Sequence, residues 1–191
     1  MKVGLFFGSF NPIHIGHLAI ANYMLEFTDL EKIWFVVSPH NPLKKKETLL
    51  PDVQRLRLVR EAIGDFTKFK ASDIEFKLPQ PSYTINTLVY LKEKFPKNEF
   101  ALIMGSDNLK TFNKWKNYEE ILKNHELFIY PRKNYDGGEL NNHKNINITT
   151  APEMEISSTM IREAIKNKKD IRFFLPEPVW NYISEMKFYL K

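Results

Sequence analysis

Short apolar runs alternate along this chain with stretches in which apolar side chains recur every three or four positions. Residues 2–7, Lys2-Val3-Gly4-Leu5-Phe6-Phe7, have the length and content of a buried strand. Residues 18–27 follow as a helix, and Lys32-Ile33-Trp34-Phe35-Val36-Val37 reads as a second buried strand. A strand–helix–strand start implies a parallel pair joined by a right-handed crossover. The pattern then predicts a helix over 52–63, with Asp52 as N-cap and Leu56, Val59 and Ile63 on one face. A looser strand over 69–76 comes next, then a helix capped by Ser82 that runs through Leu88 and Leu91 to Lys94. Residues 99–104 and 126–130 read as buried strands and 145–149 as an edge strand. A helix entered near Ile156 reaches Lys166, and a terminal helix spans 178–190, with Pro178 in its first turn and Val179, Tyr182, Ile183 and Met186 as its apolar face. Strands this uniformly apolar are covered on both faces, so the expected class is α/β, one domain over 1–191 with a parallel sheet of about five or six strands. Residues 134–144, containing Gly137-Gly138, read as a polar surface loop.

At 191 residues the chain is long enough for one substantial core and short for two. No stretch approaches the ~18 apolar residues of a membrane span. The chain reads as strand directly from Met1, without a signal-peptide pattern. The absence of cysteine removes a disulfide framework and makes the cytoplasm the expected setting. A net charge of +5 suits anionic partners, leaving nucleic acid, polyphosphate nucleotides and plain solubility open. No lysine- or arginine-rich stripe interleaved with aromatics supports a nucleic-acid surface, so none is expected as a partner.

The chemistry sits where strands end. After the first strand comes Gly8-Ser9-Phe10-Asn11-Pro12, then Ile13-His14-Ile15-Gly16-His17. A glycine-bearing loop between strand and helix aims backbone N–H groups and a positive helix end at one spot, which suits a phosphate. Two imidazoles three residues apart add donors. Half a zinc site is the competing reading, but it would need more ligands, and His40, His125 and His143 are scattered. Residues 38–46 leave the second strand with two prolines and Lys44-Lys45-Lys46, a solvated charge run or a second phosphate contact. Gly105-Ser106-Asp107 puts a small residue and then a carboxylate at a strand end, which suits ribose hydroxyls or an ordinary turn. Trp115 lies among Asn113, Lys114 and Lys116 with little to pack on, which favours stacking on a ring. Ser157-Ser158-Thr159 offers caps and N–H groups at a helix start, with Arg162 one turn further on the face of Ser158. No paired acids, Ser-His-Asp order or Walker-type loop is seen. Cations and N–H groups at several strand ends suit a reaction driven by orientation and charge neutralisation.

GSFNPIHIGHL resembles the N-terminal signature of the nucleotidyltransferase superfamily, and Ile156-Ser157-Ser158-Thr159-Met160-Ile161-Arg162 resembles its second. His-Ile-Gly-His also occurs in class I aminoacyl-tRNA synthetases. Ser82-Tyr83-Thr84-Ile85-Asn86-Thr87-Leu88 narrows the likeness to bacterial nicotinate mononucleotide adenylyltransferases, over nearly the whole chain. Phosphopantetheine adenylyltransferases share both superfamily signatures but lack this segment and the Trp115 element. The resemblance implies a Rossmann-like nucleotidyltransferase fold. It also implies attack of the nicotinate mononucleotide phosphate on the α-phosphorus of ATP, giving nicotinate adenine dinucleotide and pyrophosphate in NAD biosynthesis, with Mg²⁺ carried on the ATP phosphates. Gly8, Ser9 and Phe10 would line the nucleotide site, His14 and His17 would contact ATP phosphates, and His17 would meet the transition state. Ser157, Ser158 and Arg162 would hold the leaving pyrophosphate, Lys44 would bridge the reacting phosphates, and Gly105 and Asp107 would serve the ribose. Tyr83, Thr84, Trp115 and Lys116 would form the nicotinate pocket, with Arg132 near the mononucleotide phosphate. Ser9 stands where many members have threonine and Asn11 where many have aspartate; the role of His40 and self-association stay open.

Overall fold

The structure is a computed structural model, and it describes residues 1–39, 49–134 and 138–190. Six strands form one sheet: β1 (Lys2–Gly8), β2 (Lys32–Val37), β3 (Phe69–Ser72), β4 (Glu99–Gly105), β5 (Leu127–Tyr130) and β6 (Ile146–Ile148). Their order is β3-β2-β1-β4-β5-β6, and every pair is parallel. Sequential strands step outward first on one side of β1 and then, after β3, on the other. The topology therefore reverses between β1 and β4, which is where ligands bind in open sheets of this kind, at the carboxyl ends of the strands.

Alternation along each strand divides the core into two clusters. Phe6, Ile33, Phe35, Val37, Ala101, Ile103, Phe128 and Tyr130 face one side. There they meet α1 (Ile15–Phe27), α2 (Asp52–Ile63), α6 (Ser158–Lys166) and α7 (Glu177–Met186). Val3, Leu5, Trp34, Val36, Leu102, Met104, Leu127 and Ile129 face the other. These are covered by α3 (Thr84–Lys94), α4 (Ser106–Leu109) and α5 (Tyr118–Asn124). With both faces apolar the strands have no wet side, and that is why they read as continuous runs.

Several boundaries differ from the sequence reading. The strand expected over 69–76 stops at Ser72, because the Ser72 hydroxyl takes the Ile74 N–H at 3.4 Å and turns the chain into a 3-10 segment, Ile74–Lys77. Helix α1 starts at Ile15, three residues early, so His14 is its N-cap and His17 lies in its first turn. Pro51 caps α2, freeing the Asp52 carboxylate for Arg55. Tyr83, not Ser82, occupies the N-cap of α3. Helix α7 ends at Met186 and not at residue 190, because Lys187 takes a left-handed φ of 54°. Among the described residues no helix is long and apolar enough to cross a membrane.

Candidate active site

The loop after β1 is packed around its own aromatic ring. Phe10 adopts φ 46°, a left-handed conformation rare for an aromatic residue, and its ring is buried against Phe6, Phe35 and His17. That wedge turns the chain so that His14, 4 % exposed, lies against His17 with ring centroids 3.7 Å apart. Gly16 makes the stacking feasible, because a Cβ there would stand 3.1 Å from His14 Nδ1 and 3.5 Å from the Met154 Cβ.

Both imidazoles are neutral at pH 7. Burial, followed by the Arg132 guanidinium, pushes the pKa of His14 down to about 4. His17 is held well below its ordinary value, first by burial, then by His14 and Arg132. The tautomer of His17 follows from one bond. Its Nδ1 accepts the His14 backbone N–H at 3.2 Å, so the ring proton sits on Nε2, where it is a donor. His14 Nδ1 has no partner among the described residues.

Three further segments close on this pair. At the end of β4, Gly105 leaves room for the Asp107 carboxylate, which a Cβ would strike, and for the Arg132 stem, which a Cβ would crowd at 3.1 Å. Arg132, just past β5, donates to the Met154 carbonyl at 3.1 Å and to the Tyr130 hydroxyl at 3.5 Å. A groove of about 220 Å³ opens beside Asp107, Arg132 and Met154. From the other side, α6 clasps the first loop: Ser158 Oγ donates to the Pro12 carbonyl at 2.8 Å, and Arg162 donates to the Asn11 carbonyl at 2.8 Å. Ser157 Oγ caps the helix by accepting the Met160 N–H at 3.2 Å, which leaves its own O–H available to donate. Asp107 Oδ1, Arg132 Nε and Arg162 Nε are buried and, like His14 Nδ1, unpartnered among the described residues. Buried polar atoms are nearly always paired, so four orphans around one strand edge indicate a site built for a polar ligand.

The second group lies on the α3–α5 side. Lys116 Nζ stands 4.5 Å from the centre of the Tyr83 ring, and Thr84 opens α3, whose start no side chain caps. Trp115 is half-buried, its ring centroid 5.2 Å from that of Phe112, so it has more to pack on than its polar sequence neighbours suggest. It nevertheless lines a small cavity of about 50 Å³ with Phe7, Met104, Asn108 and Tyr130, at the strand ends shared with the first group. The fold thus brings together Gly8, Ser9, Phe10, His14, His17, Gly105, Asp107, Arg132, Ser157, Ser158 and Arg162. Tyr83, Thr84, Trp115 and Lys116 stand beside them. Lys44 and His40 lie outside the described residues. Sequence reasoning missed Arg55 and Glu75, two buried charges behind these loops.

A parallel 3-2-1-4-5-6 sheet with paired neutral histidines and unpaired guanidinium donors at its switch point defines a nucleotide-handling α/β transferase. The cytidylyltransferase-like family model matches residues 5–164. A probable nicotinate-nucleotide adenylyltransferase of Flavobacterium psychrophilum is 61% identical, over 100% of both chains. One from Bacteroides thetaiotaomicron is 48% identical over 97% of this chain and 92% of its own. Among solved structures, a Plasmodium falciparum nicotinic acid mononucleotide adenylyltransferase complexed with NaAD superposes with TM-score 0.78 at 18% identity, covering 98% of this chain and 97% of that one; this likeness concerns the fold. The chain belongs to the nicotinate-nucleotide adenylyltransferase family.

Proposed function

We propose that this chain, acting as one domain over residues 1–191, transfers the adenylyl group of ATP to nicotinate mononucleotide. The mononucleotide phosphate oxygen attacks the α-phosphorus of ATP. As that P–O bond forms, the bond to the β-phosphate breaks, giving nicotinate adenine dinucleotide and pyrophosphate with no covalent intermediate on the protein. The observation that carries this reading is the set of unpartnered buried polar atoms, His14 Nδ1, Asp107 Oδ1, Arg132 Nε and Arg162 Nε, gathered around a neutral histidine pair at the sheet's switch point.

The residues divide the work by charge. His17 offers Nε2–H, and His14 stands against it; as neutral rings they donate without adding cations to a crowded loop. Arg162 and the start of α6, with the Ser157 hydroxyl, meet the charge that grows on the leaving pyrophosphate. The Ser158 hydroxyl, given to Pro12, holds the loop in place. Gly8, Ser9 and Phe10 shape the nucleotide side, and Gly105 makes room for Asp107 to accept from ribose hydroxyls. Arg132 faces the mononucleotide phosphate, Trp115 its pyridine ring, and the N–H groups near Tyr83, Thr84 and Lys116 its carboxylate. Lys44 is assigned to the reacting phosphates by sequence alone. Among the described residues no cluster of histidine and acidic side chains is arranged to hold a metal ion. As the resemblance implies, a divalent metal rides on the ATP phosphates, and we assign it as Mg²⁺, entering as the magnesium complex of ATP. A cytoplasmic setting belongs to the same proposal and rests on the lack of cysteine.

The test is pyrophosphate release from ATP with nicotinate mononucleotide, nicotinamide mononucleotide and phosphopantetheine. An amide places an NH₂ donor where the acid has an acceptor, leaving a buried N–H unpaired. A preference for the acid of at least about a hundredfold in kcat/KM is expected. Equal use of acid and amide would overturn the pocket assignment; turnover with phosphopantetheine alone would overturn the activity.

A further inference from the structure

Glu75 is a buried carboxylate for which the adenylyl transfer itself has no use. It is 3 % exposed, in the 3-10 segment after β3. Thr87 Oγ1 donates to Glu75 Oε1 at 2.8 Å, and the Ser38 and Ser82 hydroxyls lie near enough to the same carboxylate to favour its charged form. Burial pushes its pKa up, and the three hydroxyls act against that rise. The Glu75 carbonyl accepts from Gln80 Nε2 at 3.2 Å and from the Leu78 N–H at 3.3 Å. Gln80 Oε1 in turn accepts the Ser82 N–H at 3.3 Å. Residues 78–83 are thereby wound about Glu75.

What that turn delivers is the first turn of α3. Thr87 lies one turn inside the helix and is held by the Glu75 carboxylate, while Ser82, just before the helix, is tied through Gln80 to the Glu75 carbonyl, so the residue fixes the helix start from both sides. Among the described residues no side chain caps this end, which leaves its leading N–H groups open. Ser38, near the same carboxylate, is tied to the other substrate's loop through its own backbone. Its N–H bonds the Gly8 carbonyl at 2.9 Å and its carbonyl accepts from Arg55 at 2.8 Å, so that loop keeps its own anchors without Glu75.

We propose that Glu75 is a positioning residue for mononucleotide recognition: it holds the Ser82–Thr87 turn so that the N–H groups at the start of α3 meet the substrate's carboxylate. It touches no substrate atom, and the inference rests on the activity proposed above. A residue that merely satisfied hydroxyls in the core would affect folding and both substrates alike. A positioning residue affects one substrate and the choice between acid and amide.

The experiment uses the full chain with Glu75→Ala, Glu75→Gln and Thr87→Val. KM is measured for ATP and for nicotinate mononucleotide, the acid-to-amide ratio of kcat/KM is measured, and melting temperature is followed alongside. Glu75→Ala should raise the mononucleotide KM about tenfold or more, keep the ATP KM within about threefold, and lower the acid-to-amide ratio at least about fivefold, the scale expected when buried donors lose their acceptor. Thr87→Val should move the same quantities in the same direction by a smaller factor. Glu75→Gln keeps the shape and an acceptor oxygen and should recover most of the loss. Should Glu75→Ala fail to fold, Thr87→Val decides. Equal shifts in both KM values, or a lower melting temperature with an unchanged ratio, would overturn the positioning role. A wild-type protein inactive on nicotinate mononucleotide overturns the activity and this inference together; an active one whose variants keep its ratio overturns only this inference.

Discussion

His17 and Arg162 reach the same loop from opposite sides, one through its own stacking and the other from α6. Each presents a donor fixed before substrate arrives: Nε2–H for His17, and Nε and its unused guanidinium hydrogens for Arg162. Losing one preorganised donor to developing charge costs about a hundredfold or more in kcat, and that is expected for His17→Ala and for Arg162→Ala. Near-normal turnover by a folded His17→Ala protein would remove it from catalysis. The histidines also predict how stability depends on acid. The folded pKa of His14, about 4, lies below its ordinary 6.5, so the unfolded chain takes up that proton first. The stability associated with neutral His14 is complete above 6.5 and is lost as pH falls toward 4. His17, shifted in the same direction, adds to the slope. Thermal melts between about pH 7 and about pH 5 should therefore fall less steeply for His14→Gln than for wild type; identical slopes would show that His14 is not held neutral in the fold.

Each site element is a strand end continued by a helix start, and the helix start is set by packing. His14 takes the N-cap of α1 because Phe10 fills the space beneath the loop and Gly16 leaves room for the ring. Trp115 ends a 3-10 turn whose Phe112 is buried, so one face of the indole is supported while the ring still borders the cavity at the strand ends. Replacing it with alanine removes both support and stacking surface. Base–aromatic stacking is worth ~1–3 kcal/mol by alanine substitution, so Trp115→Ala should weaken nicotinate mononucleotide by about 5- to 150-fold and spare ATP. Equal changes in the two KM values would assign Trp115 to packing alone.

Across the molecule, buried charge ties the loops to the scaffold. Arg55 is fully buried in α2, paired with Asp52, and donates to the Ser9, Ser38 and Leu50 carbonyls at 2.6, 2.8 and 3.0 Å. Arg55→Met would strand those carbonyls and should cost about 3–5 kcal/mol in denaturant unfolding, as for other broken buried charge networks; a loss below about 1 kcal/mol would mean water replaces the guanidinium. The sequence carried a sign of this. On a helical wheel Arg55 falls between Leu58 and Val59, in the middle of the apolar arc of α2, where a solvated arginine has no place. Read as one charge among Arg55, Arg57 and Arg60, it passes unnoticed. Glu75 was harder to read, because the looser strand pattern runs on through it and its partner Thr87 lies 12 positions further along the chain. By itself the sequence determined the parallel α/β class, most strand runs and the two signature segments, because apolar periodicity and short motifs are local properties. Only the tertiary structure decided that His14 and His17 stack as neutral rings, that Ser158 is spent on Pro12, and that Arg55 and Glu75 face inward. Burial decides each of these, and for Ser158, Arg55 and Glu75 so do partners distant in the chain; neither is written into a residue's neighbours.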